Sequence, residues 1–550
     1  MKESSRGKYQ LIFLAFLLLI PNLSSCYRKV EGFSFKYGHE TVDIYQRSAG
    51  KSGRLVYRLG SVAEVEGEGY SFYLTYRTDD TIEIELIDYK GKRIGEYRPE
   101  IRAKVPVEFG IGIPRGVKLR GFSVEHREGD FKILAAGIGR RERGFRFEGG
   151  RIITDDTVVI EKPPVVRGDY LEKPELIFSE GTFGGKALWF LDMGLAEGME
   201  GDSERFSIDF KRGNNLDERL SFRYQGRETH AYIYPAMLDF TPTGLSFAGE
   251  SGLSVGVKSL VIGEVKGDDD LVALPAEPGV AIYYDRHYWR NRAFEIFEWK
   301  RFPGILIMDT ADYETQSAFF KRIAFFVEKL GYAGKILPEE SLEGRHGYNA
   351  HDYRSEDLAL FFNRAKQEGV ELNERENLLR EIMLRNGLLI ESDGILESKG
   401  GGIISFSRDS SPLLRKHLLT HECYHGIFFS SPAYRKACFK IWNSISDKER
   451  EFWKMFLGWR GYDISNRYLL VNEFQAYLFQ QSEGEVDRYY KDYIIPRMLQ
   501  SHPELEEKLM NFLREFPHHF TGTYEKLERE LEKATGMHGG DVFVFQGNVR

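Results

Sequence analysis

The sequence predicts a multidomain chain in which two tandem all-β sandwich domains precede an α+β, mainly helical domain. Over residues 35–285, apolar and polar residues alternate in short segments separated by Gly, Asp and Asn, which is typical of strands joined by turns. After residue 285, apolar residues recur about every 3.6 positions and indicate amphipathic helices. The length of 550 residues suffices for about three or four domains with their own cores.

The composition restricts the classes of function. Hydrophobic residues make up 42% of the chain and charged residues 29%, which excludes wholesale disorder and a protein with many membrane spans. The chain has 76 Lys and Arg against 84 Asp and Glu, a net charge of −8. We therefore expect no nucleic-acid partner and no general attraction to anionic lipid.

The amino-terminal residues 1–26 have the profile of a signal peptide. Basic residues precede an unbroken apolar run from Leu11 to Ile20, and small polar residues follow. As a helix this run would span about half of a bilayer core, so a transmembrane anchor is disfavoured. Leu23-Ser24-Ser25-Cys26 resembles the lipobox of bacterial lipoproteins. That resemblance implies lipid attachment at Cys26 and a place in the bacterial cell envelope, facing the periplasm or the cell surface; ordinary secretion is the alternative.

The remaining cysteines, Cys423 and Cys438, are too few for a disulfide-built scaffold. A single bridge between them is one interpretation. Because both lie in segments with a helical pattern, we expect two buried free thiols instead.

The β-rich part divides into two copies of one pattern. Thr81 to Leu86 alternates strictly between polar and apolar residues and precedes a turn at Lys90-Gly91-Lys92. Residues 206–227 repeat the arrangement of residues 72–92. We therefore predict β-sandwich domains at residues 27–148 and 149–287.

This pair of domains resembles, in architecture, the jelly-roll modules often found beside exported hydrolases, many of which bind carbohydrate. Aromatic residues could stack on sugars, but Phe and Tyr in strands more often fill a core. A spacer or a surface-partner role is therefore favoured, with carbohydrate binding as the alternative.

The third predicted domain covers residues 288–550. A buried strand at residues 302–309 is followed by a helix over residues 315–330. Further elements are helices at residues 355–367 and 374–385, a glycine-led strand at residues 403–407, and helical patterns up to residue 537. This succession predicts an α+β domain.

His421-Glu422-Cys423-Tyr424-His425 is an HExxH motif. Residues four apart lie on one face of a helix, so the two imidazoles can bind one Zn²⁺ while Glu422 acts on the metal's water. Ser411 is a good N-cap and Pro412 suits the first helical position, so the motif lies where a helix is expected.

A second helical stretch downstream of the motif carries a glutamate. Glu473 lies in residues 462–483, a stretch without Gly or Pro whose apolar residues have helical spacing. Together with HExxH it resembles the zincin metallopeptidases of the gluzincin group, in which such a Glu is the third zinc ligand. The resemblance covers residues 400–480. It implies a zincin-like domain, Zn²⁺ bound by His421, His425 and Glu473, and a polypeptide substrate. Cobalt and manganese also suit this ligand set.

The same resemblance implies a mechanism in which Glu422 is the general base for a zinc-activated water. A second donor to the developing oxyanion is expected from a Tyr or His, and the available residues are Tyr462, Tyr468, Tyr477, His518 and His519. We favour Tyr477, although packing within its own helix explains that residue equally well.

Three other features of the carboxyl-terminal domain are considered as parts of the site. Zincins place an edge strand before the HExxH helix, where extended peptides pair with it, and residues 403–407 fit this place. His417 is interpreted as a core residue or one that supports the ligands, because it lies too far along the helix from His425 to share the metal. Residues 345–353 could line a site, but a helix cap with solvated neighbours is favoured.

The leading hypothesis is therefore a lipid-anchored zinc endopeptidase. The alternative is a non-catalytic surface lipoprotein, an adhesin or a glycan- or protein-binding molecule, that uses a zincin scaffold. Glu422 argues against the alternative, because binding alone does not require that carboxylate.

Overall fold

A computed structural model describes most of the chain. The described residues are 27–37, 40–49, 53–64, 70–78, 81–98, 103–113, 116–126, 131–140, 143–148, 151–154, 158–160, 165–167, 170–172, 175–178, 182–183, 188–196, 205–213, 215–225, 229–249, 256–265, 269–345, 347–540 and 542–548. The predicted signal peptide and the lipid attachment at Cys26 lie outside these residues. So does His346, within the segment 345–353.

Contacts along the chain separate two compact units, Met1–Val158 and Val159–Arg550. The chain is rich in β-sheet in its amino-terminal part and mainly helical in its carboxyl-terminal region, and this part of the predicted fold class is confirmed. The boundaries proposed from sequence at residues 148 and 287 remain predictions.

The described residues of the first unit form strands. They are β1 Arg28–Lys29, β2 Phe35–Tyr37, β3 Glu40–Val42, β4 Ile44–Ala49, β5 Arg54–Glu64, β6 Tyr70–Thr78, β7 Ile82–Asp88, β8 Arg93–Tyr97, β9 Ala103–Ile113, β10 Lys118–His126, β11 Phe131–Arg140, β12 Arg143–Glu148 and β13 Arg151–Thr154. One sheet has the order β1-β4-β5-β10-β7-β8, and the other contains β12-β13-β9-β6-β11-β2-β3. Alternate residues of β6, β7 and β10, such as Phe72, Ile84 and Phe122, form one buried core, as period-two alternation requires.

The second unit begins with further strands. Strand β14, Val158–Ile160, lies where the two units divide. It is followed by β15 Val165–Arg167, β16 Tyr170–Glu172, β17 Glu175–Phe178, β18 Leu188–Ala196, β19 Arg205–Arg212, β20 Asn215–Arg223, β21 Thr229–Ile233, β22 Gly244–Gly249 and β23 Gly256–Val265. Strands β17-β22-β19-β20 are neighbours in one sheet, and β16, β23, β18 and β21 are neighbours in another.

The carboxyl-terminal region combines one mixed sheet with helices. Its elements are β24 Leu274–Ala276, α1 Pro278–Tyr283, β25 Phe294–Trp299, β26 Ile305–Thr310, α2 Tyr313–Val327, β27 His351–Arg354, α3 Ser355–Glu368, α4 Glu374–Arg385, β28 Leu389–Ser392, β29 Ile395–Ser398, β30 Gly402–Ser407, α5 Pro412–Ser430, α6 Pro432–Ser444, α7 Asp447–Trp459, α8 Arg467–Phe479, α9 Glu483–Arg488, α10 Ile495–Ser501, α11 Glu506–Glu515, α12 His519–Thr535 and β31 Phe545–Asn548. A π-helical turn covers Tyr489–Ile494, and short 3₁₀ turns cover Pro235–Met237, Arg286–Tyr288, Glu339–Leu342 and Pro503–Leu505.

The mixed sheet has the order β24-β25-β26-β30-β27. Strand β30 is parallel to β26 and antiparallel to β27. The prediction that residues 403–407 form the edge strand is therefore wrong, because β27 covers that side of β30. The sequence of β27 is His-Asp-Tyr-Arg, so this strand lacks the apolar run that marks a strand in the sequence.

The chain ends on the β-rich part of its own unit. Strand β31 pairs with β20 in antiparallel fashion. The buried carboxylate of Glu277, just before α1, accepts hydrogen bonds from the backbone N–H groups of Val544 and Phe545 at 3.0 and 2.9 Å. The helical pattern that ends near residue 537 gave no indication of this last strand.

Two further expectations concern single features. Cys423 and Cys438 are both buried and form no disulfide within the described residues, so the expectation of two buried thiols instead of a bridge between them is confirmed. Across the described ranges, no helix is at once long and apolar enough to cross a membrane.

Candidate metal centre

Helices α5 and α8 bring His421, His425 and Glu473 together. The Nε2 atoms of the two histidines lie 3.0 Å apart. The carboxylate oxygens of Glu473 lie 3.4 Å from Nε2 of His421 and 3.7 Å from Nε2 of His425. One ligand atom from each residue falls within 4.8 Å of the others, so the three side chains converge on one small volume.

The local sequence explains how α5 presents its two histidines. The Ser411 side chain accepts a hydrogen bond from the Leu414 N–H, and Pro412 occupies the first turn, as predicted from sequence. The spacing of four residues then places His421 and His425 one turn apart on the same face. Their rings stand almost perpendicular, with centroids 4.7 Å apart.

Helix α8 is held against α5 by buried polar contacts. The Gln475 side chain donates hydrogen bonds to the backbone carbonyls of Tyr424 on α5 and Asn472 on α8, at 3.2 and 2.9 Å. The Tyr434 hydroxyl donates to the side-chain oxygen of Gln475 at 3.1 Å. These bonds fix the rotation of α8 and so the direction of Glu473.

The donor set fits a divalent metal. His425 and Glu473 are almost completely buried, with relative exposures of 0% and 1%. Oε2 of Glu422 and Oε2 of Glu473 are buried without a hydrogen-bond partner among the described residues, although such atoms normally have one. Two imidazole nitrogens and a carboxylate are ligands that zinc prefers, and three protein ligands leave a position open.

The structure adds two acidic residues that were not identified from the sequence as site residues. Oδ2 of Asp352, on β27, lies 3.7 Å from Nδ1 of His425. Glu328, directly after α2, groups with Asp352 and Glu473, and its Oε1 accepts a hydrogen bond from the Tyr353 hydroxyl at 3.1 Å. Neither residue has a motif of its own.

The favoured interpretation of residues 345–353 as a solvated helix cap is therefore wrong. Arg354 occupies the N-cap position of α3 and makes no side-chain capping bond. Because side chains alternate along β27, Tyr353 enters the core between the sheet and its helices while Asp352 faces His425. The density of polar residues in this segment was the available signal.

The electrostatics of the cluster favour a bound cation. Burial raises the pKa of Glu422, Asp352 and Glu328 well above their ordinary values, and the mutual repulsion of the carboxylates adds to this. Burial lowers the pKa of His421 and of His425, which leaves both rings neutral near pH 7. Several buried carboxylates beside neutral imidazoles form an electron-rich site, and a cation would reverse these shifts.

Tyr477 lies beside the histidine pair. Its ring meets that of His421 edge to face at a centroid distance of 4.5 Å. Its hydroxyl accepts a hydrogen bond from Nε of Arg460 at 3.0 Å and lies 3.5 Å from the Tyr462 hydroxyl. Burial raises the pKa of Tyr477 to about 12, so this hydroxyl keeps its proton near neutral pH.

The other residues considered from sequence lie elsewhere. Nε2 of His519 accepts a hydrogen bond from the Trp453 indole, and its Nδ1 lies 2.8 Å from Glu449. His417 faces Tyr489, at a ring distance of 6.4 Å, which agrees with its interpretation as a non-ligand. Tyr468 contacts Arg354, whose guanidinium lies 4.3 Å from its ring centroid.

A cavity of about 540 Å³ opens near the carboxyl end of α5. Its wall includes Arg354, Phe429, Arg435 and Tyr468. The Phe429 ring stacks near His425 at 6.4 Å, which places this polar cavity on the His425 side of the cluster.

Comparisons with known proteins give little guidance. No family model and no curated protein matches the chain. Among solved structures, allantoicase from Saccharomyces cerevisiae is 8% identical over 40% of this chain and 80% of its own, with a TM-score of 0.19. The Endo-D glycoside hydrolase domain from Streptococcus pneumoniae is 10% identical over 41% of this chain and 33% of its own, with a TM-score of 0.15. Likenesses this slight carry no inference about fold or function.

Proposed function

We propose that this protein is a zinc-dependent peptidase whose metal ligands are His421, His425 and Glu473. The observation that carries the proposal is the convergence of both Nε2 atoms and the Glu473 carboxylate in a buried volume. It is supported by the unpartnered buried oxygen of Glu422, next to His421 in the chain.

Zinc bound there would polarise a water molecule and the scissile carbonyl. Glu422 accepts a proton from the attacking water and returns it to the amine that leaves when the peptide bond breaks. The buried Oε2 of Glu422 has no hydrogen-bond partner among the described residues, so that oxygen is free to accept the proton.

Tyr477 donates a hydrogen bond from its hydroxyl to the oxygen that becomes negative as water adds to the carbonyl. Arg460 supports this role, because its N–H donates to the Tyr477 oxygen and makes that hydroxyl a better donor. The Tyr462 hydroxyl, 3.5 Å away, limits the positions that the Tyr477 hydroxyl can adopt.

An extended polypeptide substrate pairs with β27. In the part of the chain that the structure describes, this strand pairs only with β30, so its other edge has no strand partner, and extended peptides add to unpaired edges of this kind. Asp352 lies on the same strand, 3.7 Å from His425, so a peptide along β27 would pass close to the histidines.

The wider assignment follows from the sequence. We infer a zincin-like domain for the carboxyl-terminal region and jelly-roll-like sandwiches for the β-rich part. Residues 1–26 support export and lipid anchoring through Cys26 in a bacterial envelope. The β-rich domains then position the enzyme or contact a surface partner, with carbohydrate as one candidate.

The test is Glu422→Gln, assayed for cleavage of a fluorescein-labelled unfolded protein. We expect the zinc content to match that of the wild type and turnover to fall by about 10²–10⁴-fold. Glu451→Gln, at an exposed position of α7, is the matched control and should retain activity. Full turnover by Glu422→Gln would refute the mechanism. A zinc-bound wild type without hydrolysis would favour the non-catalytic lipoprotein.

A further inference from the structure

We propose that Asp352 is a positioning residue that orients His425 toward the metal. This inference rests on the proposed zinc centre and extends it to a residue outside the HExxH motif and its later glutamate. The relevant observation is that Oδ2 of Asp352 lies 3.7 Å from Nδ1 of His425, a buried nitrogen with no hydrogen-bond partner among the described residues.

The position of Asp352 is fixed from two sides. Its backbone lies in β27 opposite Ile404 of β30. Its Oδ2 also accepts a hydrogen bond from the side-chain N–H of Asn472, the residue before Glu473, at 3.4 Å. One carboxylate therefore links the sheet to α5 and α8, the helices that carry the proposed ligands.

The chemistry of imidazole gives this contact its consequence. A neutral histidine has a proton on only one ring nitrogen, and a metal binds the other. With Asp352 beside Nδ1, the proton is favoured at Nδ1, and the lone pair at Nε2 faces His421 and Glu473. Partners of this kind fix the tautomer and ring orientation of metal-binding histidines.

A purely structural role is less consistent with the surroundings. Asp352 groups with Glu328 and Glu473, so three carboxyl groups lie close together. Carboxylates this close repel one another unless a neighbouring group or a cation compensates their charge. The compensating interaction is with His425 and the cation that His425 would bind.

The experiment compares Asp352→Asn with the wild type in the full chain. We expect zinc affinity, measured by competition with a chromophoric chelator, to fall by about 10–100-fold. In histidine-labelled protein without metal, the ¹⁵N shifts of His425 should change from the Nδ1–H tautomer to a mixture. Asp357→Asn is the matched control, because Asp357 pairs with Arg354; both readouts should stay as in the wild type.

The outcomes separate the two proposals. A wild type that binds no zinc refutes the proposed function, while the metal-free ¹⁵N shifts still test Asp352. Unchanged affinity and shifts in Asp352→Asn would overturn the positioning role. A changed coordination number in the visible spectrum of the cobalt form would instead make Asp352 a direct ligand and also overturn it.

A second variant keeps the proposal falsifiable if Asp352→Asn does not fold. Asn472→Ala removes the N–H that holds Oδ2 of Asp352. We expect a smaller loss of zinc affinity with the same change in the His425 shifts. Wild-type shifts in Asn472→Ala would count against the arrangement.

Discussion

Replacing Tyr477 by Phe removes one oxygen from the site and keeps the ring that contacts His421. The ring centroids of Tyr477 and His421 are 4.5 Å apart, and this packing is retained by Phe. The lost atom is the hydroxyl that accepts the Arg460 N–H at 3.0 Å. The substitution therefore separates the proposed donor role of Tyr477 from its packing.

The magnitude follows from these contacts. Loss of one preorganised oxyanion donor costs about 2.7–4 kcal/mol of transition-state stabilisation, or about 10²–10³-fold in kcat. KM should change little, because the interaction forms only in the transition state. Stability should fall by about 1 kcal/mol, because Arg460 loses a buried acceptor.

The assay is steady-state hydrolysis of a labelled peptide, with zinc content and urea unfolding measured on the same protein. The matched control is Tyr490→Phe. Tyr490 is also buried and packs on Phe456, as Tyr477 does, but its hydroxyl has no hydrogen-bond partner among the described residues. The control should keep wild-type kcat and be as stable as the wild type or slightly more so. A kcat for Tyr477→Phe within about threefold of wild type would assign that residue to packing alone.

Two further predictions concern the fold around the site. Glu376→Gln leaves the buried Arg322 guanidinium without its charged partner. The free energy of unfolding, measured in urea, should therefore fall by about 3–5 kcal/mol. A loss below about 1 kcal/mol would contradict a buried ion pair. Burial lowers the pKa of His519 below its ordinary 6.5. As the pH falls, this side chain therefore binds a proton in the unfolded chain before it does so in the folded chain. The folded state loses stability as the pH falls through about 6.5. The stability of His519→Gln should therefore fall less than that of the wild type between about pH 7.5 and 5.5, and equal slopes would refute this assignment.

Local patterns predicted the elements that carry the three proposed ligands. Ser411 and Pro412 mark the start of α5, and the uninterrupted apolar spacing around Glu473 marks α8. Both signals depend on neighbours within about two helical turns. Because the two histidines of HExxH are four residues apart, they could be placed on one face of α5 without knowledge of the tertiary structure.

Residues that join the site through long-range pairing could not be predicted in this way. Asp352 reaches His425 because the short, polar strand β27 pairs with β30. Glu328 lies near Asp352 and Glu473 because α2 packs against β26 and β30. Strand β31, at the end of the chain, pairs with β20. Such contacts depend on tertiary packing, which overrides weak local preference.

The zinc content of the purified chain, measured by plasma mass spectrometry beside His421→Ala and Glu473→Ala, tests the central claim most directly. The convergence of His421, His425 and Glu473 predicts about one zinc per wild-type chain and a clear loss in both variants. Failure of the folded wild type to bind zinc after reconstitution, or full binding by both variants, would contradict it.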